Sequence, residues 1–237
     1  MSAVAVITGM QSEAECLDKL TRHLPVELRP YIHCAGPGPD RASLACAAVD
    51  TQNVSGVVSF GVAGGLDVAL LSGTLLMPAA VITSDNAMVE TDTQWRQEVS
   101  AALLAKPPAT LQMGVDHPVT NPKDKERLFR EYGTHAVDME SHVIAHYAKD
   151  RGLPCIVLRA VADTANDTIP EAALAGLDET GNVVPFRVIR RLAPNPSQLP
   201  ALLQLARDSK AAMKSLRTIP KPAINALCRI GAISGTH

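Results

Sequence analysis

Nearly continuous apolar runs alternate with amphipathic segments along this chain. The runs are Ala3–Thr8 (AVAVIT), Val54–Phe60 (VSGVVSF), Thr74–Thr83 and Cys155–Ala162 (CIVLRAVA). Strands that are apolar on both faces belong in a parallel sheet with helices on each side. Tyr31–Cys34, Thr110–Val115 and Ala136–Asp138 are weaker strand candidates, and Pro78 marks a bulge or an edge within Thr74–Thr83. Helical spacing covers Ser12–Arg22, Arg41–Val49, Asp92–Leu104, Lys123–Tyr132, Met139–Arg151, Glu171–Ala175, Asn182–Leu192 and Ala201–Leu216. It is clearest in Met139–Arg151. There Met139, Val143, Ile144, Tyr147 and Ala148 form the apolar side, and Gly152 and Pro154 stop the helix. The alternation predicts an α/β fold: a single domain with a central mixed, largely parallel sheet flanked by helices on both faces. Residues 1–192 form the body of that domain. A Pro-rich break, Ala193–Pro200, leads to a C-terminal helical extension and tail over 193–237. The last twenty residues hold three basic side chains and no acid, and they are expected to be partly disordered.

Composition narrows the class. The chain has 237 residues, 46% of them hydrophobic and only 3% aromatic, so the core must be aliphatic. A formal net charge of -2 gives no electrostatic footprint for nucleic acid. Cys16, Cys34, Cys46, Cys155 and Cys228 are scattered, without C-x-x-C spacing, as expected of reduced thiols in a cytoplasmic protein. There is neither a basic leader nor an apolar run of transmembrane length.

Three carboxylates share one kind of position. Glu13 follows the first strand, Glu140 follows the strand that ends at Asp138, and Asp163 follows Cys155–Ala162. Open α/β sheets bind ligands at that edge. Gly61–Gly65 follows Val54–Phe60 there and reads as a tight turn. It is neither the dinucleotide fingerprint nor a P-loop. Taken singly, a carboxylate just after a strand is more often a helix cap or a solvated turn than a site residue. His142 and His146 are spaced i, i+4, but Val143 stands where a zincin needs Glu, so they read as solvated or capping histidines and no metal is assigned.

Five segments together resemble the nucleoside phosphorylase superfamily. They are Gly9-Met10-x-x-Glu13, Gly36-x-Gly38, Gly61-Val-Ala-Gly-Gly-Leu-Asp67, Ala136-Val-Asp-Met-Glu140 and Arg159-Ala-Val-Ala-Asp163. The likeness is to the purine nucleosidase branch, and within it to the hopanoid-associated phosphorylase-like proteins, which are assigned to removing adenine from adenosylhopane. The resemblance implies an enzyme without cofactor. Asp163 would donate a proton at purine N7, Glu140 would bind the ribose hydroxyls, and Met139 would pack on the sugar. Glu13 would orient or deprotonate water, Val119 would meet the purine through its backbone, and Ala63 and Gly64 would line the substrate site.

Departures from the family select the nucleophile. Phosphorylases of the superfamily place Arg where Glu13 stands and another basic residue where this chain has Ser59, and Val62 replaces their Ser or Thr. A phosphate dianion without a guanidinium is poorly held, so water is the expected nucleophile and phosphate the alternative. The expected substrate is a small-molecule nucleoside, lipid-linked if it is adenosylhopane. A methylthioadenosine/adenosylhomocysteine nucleosidase and a non-catalytic nucleoside-binding protein are the rival readings. Relatives are dimers or higher oligomers, which implies a homo-oligomer. The Ala201–Leu216 helix is expected to pack on the domain or a neighbouring subunit, with peripheral membrane contact as the alternative.

Overall fold

The computed structural model describes residues 3–230, apart from 35, 50–53, 84, 177, 179–180 and 183. Among these, the strands are β1 (Ala3–Thr8), β2 (Tyr31–Cys34), β3 (Val54–Gly65), β4 (Leu75–Leu76), β5 (Ala80–Ile82), β6 (Met88–Glu90), β7 (Gln112–Gly114), β8 (Ala136–Asp138) and β9 (Cys155–Asp163). The helices are α1 (Gln11–Thr21), α2 (Pro39–Ala47), α3 (Thr93–Ala101), α4 (Pro122–Tyr132), α5 (Ser141–Asp150), α6 (Glu171–Ala175), α7 (Pro185–Leu192), α8 (Leu199–Arg217) and α9 (Lys221–Leu227). All the strands join one sheet in the order β2-β1-β3-β8-β7-β5-β6, with β9 paired to β3 and β4.

The strand β3 organises the sheet. It runs parallel to β1 on one side and to β9 on the other. It meets β8 in antiparallel fashion only through Gly64 and Gly65. Five of the eight pairings are parallel, which makes the sheet mixed and largely parallel. The twofold alternation along a strand divides the core between the two faces. Val4, Val6, Val58, Phe60, Ile156 and Leu158 face α1, α3, α8 and α9. Ala5, Ile7, Val57 and Val157 pack with α2 and α5.

Local chemistry sets the element ends. Asp92 accepts from the Trp95 N–H (2.7 Å) at the start of α3. Asn121 accepts from the Asp124 N–H (3.0 Å) at the start of α4, whose first residue is Pro122. Gly133, at φ 64°, ends α4 in the left-handed conformation.

Three expectations change. The Gly61–Gly65 segment is the end of β3 and not a turn. The Thr74–Thr83 run divides into β4 and β5 around Pro78, which has no N–H to give a ladder. Part of the expected disordered tail is α9, whose Ala223, Ile224 and Leu227 are buried in the main core. Trp95, itself buried, donates its indole N–H to the Ala226 carbonyl (3.0 Å) and ties α9 to α3. Charge alone hid this helix, because its apolar residues fall at helical spacing between basic ones. Residues 231–237 of that tail, and residue 183 of the expected Asn182–Leu192 helix, lie outside the described residues.

Ile224→Ala should therefore cost about 2–5 kcal/mol of unfolding free energy, the range for a buried Ile truncation. Urea unfolding of the purified variant measures it, and a cost near zero would mean that α9 does not belong to the core.

Candidate active site

A cavity of about 770 Å³ opens at the carboxyl ends of β1, β3, β8 and β9. The residues that the sequence assigns to catalysis or substrate binding all line it: Glu13, Ala63, Gly64, Val119, Met139, Glu140 and Asp163. The elements that carry them are α1, β3, the loop before α4, the β8–α5 junction and the last residue of β9.

Arg159 lies under the polar wall and is 1% exposed. Its Nε is 2.8 Å from Asp138 Oδ2, and its Nη2 is 3.6 Å from Glu140 Oε2. Nη2 also donates to Ser59 Oγ (2.7 Å) and Ser141 Oγ (3.3 Å). Asp138 in turn accepts from the Glu140 and Ser141 backbone N–H groups (3.1 and 2.8 Å), which fixes the start of α5. The guanidinium is thus spent on carboxylates and hydroxyls inside the protein.

Glu13 is 1% exposed. Its Oε2 accepts from the Met10 N–H (2.9 Å) at the start of its own helix, and its Oε1 accepts from the Val62 N–H (2.8 Å) on β3. Burial outweighs these bonds and the nearby Arg159, and it pushes the carboxyl from 4.5 to about 7. Glu140 is also raised, by burial first and by Asp138 next, against the pull of Arg159. Its Oε1 accepts from the Gly38 N–H (2.8 Å).

Asp163 is raised by burial, against the lowering effect of a neighbouring ammonium. That ammonium belongs to Lys125, which is fully buried and hydrogen-bonded to Asp163 Oδ2. Sequence reasoning missed it, because Lys125 is one of several charged residues in α4. Lys125, Leu128 and Tyr132 are spaced i, i+3, i+7, so the lysine occupies a position of the apolar stripe, and that was the available signal.

The glycines now have a different reason. A Cβ at Gly61 would stand 2.5 Å from both Arg159 Nη1 and Glu13 Oε1. One at Gly9 would stand 3.0 Å from the Glu140 carboxyl carbon, and one at Gly64 would stand 3.2 Å from Asp163 Oδ2. Glu13, Glu140 and Asp163 are thus each packed against a residue without a side chain.

The remaining wall is aliphatic. Ile169, Leu174, Val188, Leu202, Leu205 and Met213 line it from α6, α7, α8 and the segment before α6. His142 and His146 lie elsewhere, in a cavity of about 570 Å³ between α2, α5 and the end of β7. His142 Nε2 is 3.3 Å from Asp116 Oδ1, and His146 Nδ1 is 2.9 Å from the His142 carbonyl. Among the described residues no group of three or more His, Cys, Asp or Glu side chains is arranged to hold a metal ion.

Residues 4–184 match the family model of the phosphorylase superfamily. A stretch of 47 residues is 36% identical to the 5′-methylthioadenosine/S-adenosylhomocysteine nucleosidase of Treponema pallidum (strain Nichols). That match spans 20% of this chain and 18% of the relative. The 5′-methylthioadenosine/S-adenosylhomocysteine nucleosidase of Neisseria meningitidis, solved with methylthio-immucillin-A, superposes with a TM-score of 0.71 at 17% identity, over 96% of this chain and 99% of that one. The futalosine hydrolase of Helicobacter pylori superposes with a TM-score of 0.65 at 18% identity, over 90% of this chain and 94% of that one. At these identities the structures share the fold.

Two outcomes follow from the site geometry. Between pH 4.5 and about 7 the folded protein keeps a proton on Glu13 that the unfolded chain releases. The unfolded state then binds fewer protons, so stability falls as pH rises through that window, by at most about 3 kcal/mol from this group. Glu13→Gln should remove much of the difference between thermal midpoints at pH 5 and pH 8, and an unchanged difference would contradict the raised pKa. Gly61→Ala should cost about 1–3 kcal/mol through overpacking against Arg159 and Glu13, measured by denaturant unfolding.

Proposed function

The chain belongs to the phosphorylase superfamily, enzymes that act on nucleosides, and from that premise we propose that it hydrolyses the N-glycosidic bond of a 5′-substituted adenosine and releases adenine. The observation that carries this reading is a single cavity lined by two buried carboxyls of raised pKa, Glu13 and Asp163, with Glu140 on the same wall.

Cleaving the bond from ribose C1′ to purine N9 leaves positive charge on the sugar and negative charge on the base. Asp163, whose carboxyl burial shifts toward the protonated form, gives its proton to N7 as the bond breaks. Glu140, held by the Gly38 N–H, accepts from the ribose hydroxyls and places negative charge beside the cationic sugar. Glu13, with a pKa near 7, takes a proton from the attacking water, whose oxygen bonds to C1′. The proton lost by Asp163 and the one gained by Glu13 balance, and the products are adenine and the free sugar. Met139 packs against the sugar, the Val119 backbone meets the purine, and Ala63 and Gly64 floor the site.

Water fits this site better than phosphate. A guanidinium is present after all, but Arg159 is already paired with Asp138 and Glu140. Ser59, at the position where phosphorylases carry a base, accepts from Arg159 beneath the cavity. Three carboxylates face one cation there, a poor seat for a dianion.

The aliphatic wall supports a large apolar 5′ group, and adenosylhopane is the substrate proposed from the family resemblance. Phe186 and Ile189 on α7 are exposed, and Ile189 also lines the cavity, so a lipid-bearing substrate has an apolar path to the site. No helix among the described residues is long and apolar enough to cross a membrane, and peripheral contact with a bilayer is part of the lipid-substrate proposal. The five free thiols fit a reducing cytoplasm. The Treponema match favours a second reading, cleavage of methylthioadenosine or adenosylhomocysteine.

Adenosines bearing methylthio, homocysteinyl or long alkyl groups at the 5′ carbon, incubated with and without phosphate, separate these readings when free adenine is measured. The expected result is phosphate-independent release, fastest with the long alkyl group. No adenine from any of them would end the glycosidase reading, and a sugar 1-phosphate product would replace hydrolysis with phosphorolysis. Asp163→Asn should lower kcat by about a hundredfold or more.

A further inference from the structure

Two cations are fully buried among the described residues, Arg159 and Lys125. Arg159 has its carboxylates within the sheet. Lys125 reaches inward from α4, away from the solvated Glu126, Arg127, Arg130 and Glu131 of the same helix. Taking an ammonium out of water costs several kcal/mol unless its donors are met. They are met completely: Nζ donates to Asp163 Oδ2, to the Thr164 carbonyl (2.6 Å) and to the Asp167 carbonyl (3.1 Å). Three N–H bonds and three acceptors leave no freedom of rotation. The charged groups that act on Asp163 are Lys125 from α4, Asp167 from the loop after β9 and Asp208 from α8. Lys125 alone among them is positive.

We propose that Lys125 is a positioning residue of this site: its ammonium fixes the Asp163 carboxyl at the cavity wall and stabilises the carboxylate that remains once the proton has left. The proposal rests on Asp163 acting as the acid in the reaction above. Burial by itself, with Asp167 and Asp208 nearby, makes Asp163 a reluctant donor. A fixed positive charge on Oδ2 strengthens the acid at the moment of transfer to N7, and the ion pair is complete in the product state. The ammonium keeps its own three protons throughout. A lysine that only laced α4 to the backbone after β9 would bond the two carbonyls and have no effect on the titration of Asp163.

Lys125→Gln keeps a donor of similar reach and removes the charge, Lys125→Met removes both, and Lys125→Arg keeps the charge. In Lys125→Gln the alkaline limb of the kcat profile, where Asp163 loses its proton, should move up by about 1–3 pH units. At the wild-type optimum kcat should fall about tenfold, with KM changed by less than about threefold. Lys125→Arg should hold the wild-type limb. A readout independent of turnover is the ¹³C carboxyl resonance of Asp163, assigned by its loss in Asp163→Asn, which should titrate at higher pH in Lys125→Gln than in the wild type. An unmoved titration in a folded Lys125→Gln protein overturns the proposal, and so does failure of both neutral variants to fold, since the residue would then be structural. If the wild type releases no adenine while the titration still moves, the glycosidase reading falls and the pairing of Lys125 with Asp163 stands.

Discussion

Burying Arg159 takes a guanidinium out of water, and a charge so placed persists only where anions meet it at short range. Asp138 and Glu140 meet it directly, and Glu13 lies within its field. Each of these acids also holds backbone in place. Asp138 fixes the start of α5, Glu140 receives the Gly38 N–H, and Glu13 joins α1 to β3. Removing the guanidinium would leave three buried carboxyls with backbone N–H donors but no cation to offset their desolvation. The proposed chemistry uses this balance. Arg159 is strong enough to hold the acids in place, and it does not stop burial from raising Glu13 to about 7.

Much of the frame was legible in the sequence. The apolar runs at Ala3–Thr8 and Cys155–Ala162 became β1 and β9, because strands covered on both faces leave no polar alternation to misread. The carboxylates were found by position, since a residue that follows a parallel strand must emerge at the sheet edge. Gly61–Gly65 was misread because glycine signals a turn and close packing alike. Only the positions of the Glu13 and Arg159 side chains tell the two apart, and both are remote in sequence. Lys125 was hidden for the opposite reason. One inward lysine in a helix of charged residues looks like its neighbours until its place on the apolar stripe is counted.

The two buried cations divide the polar wall. Arg159 serves the end near Glu13 and Glu140, and Lys125 serves the end near Asp163. On each side burial raises the carboxyl and the local cation opposes it, although both sides share one cavity. Opposite protonation states for two carboxyls require this kind of separation.

The helix α8 brings a consequence of a different kind. The family match ends at residue 184, yet Val188, Leu202, Leu205 and Met213 line the cavity beyond it. Along α8, Leu202 and Leu205 of the first turns are half-buried at the cavity, whereas Ala212 and Leu216 near its end are fully buried in the main core. A substitution in the early turns meets the cavity wall first, whereas one at Ala212 or Leu216 meets the main core. The one helix therefore serves two masters: its start shapes the cavity and its end closes the core, so the aliphatic wall can be altered at Leu202 or Leu205 without touching the sheet.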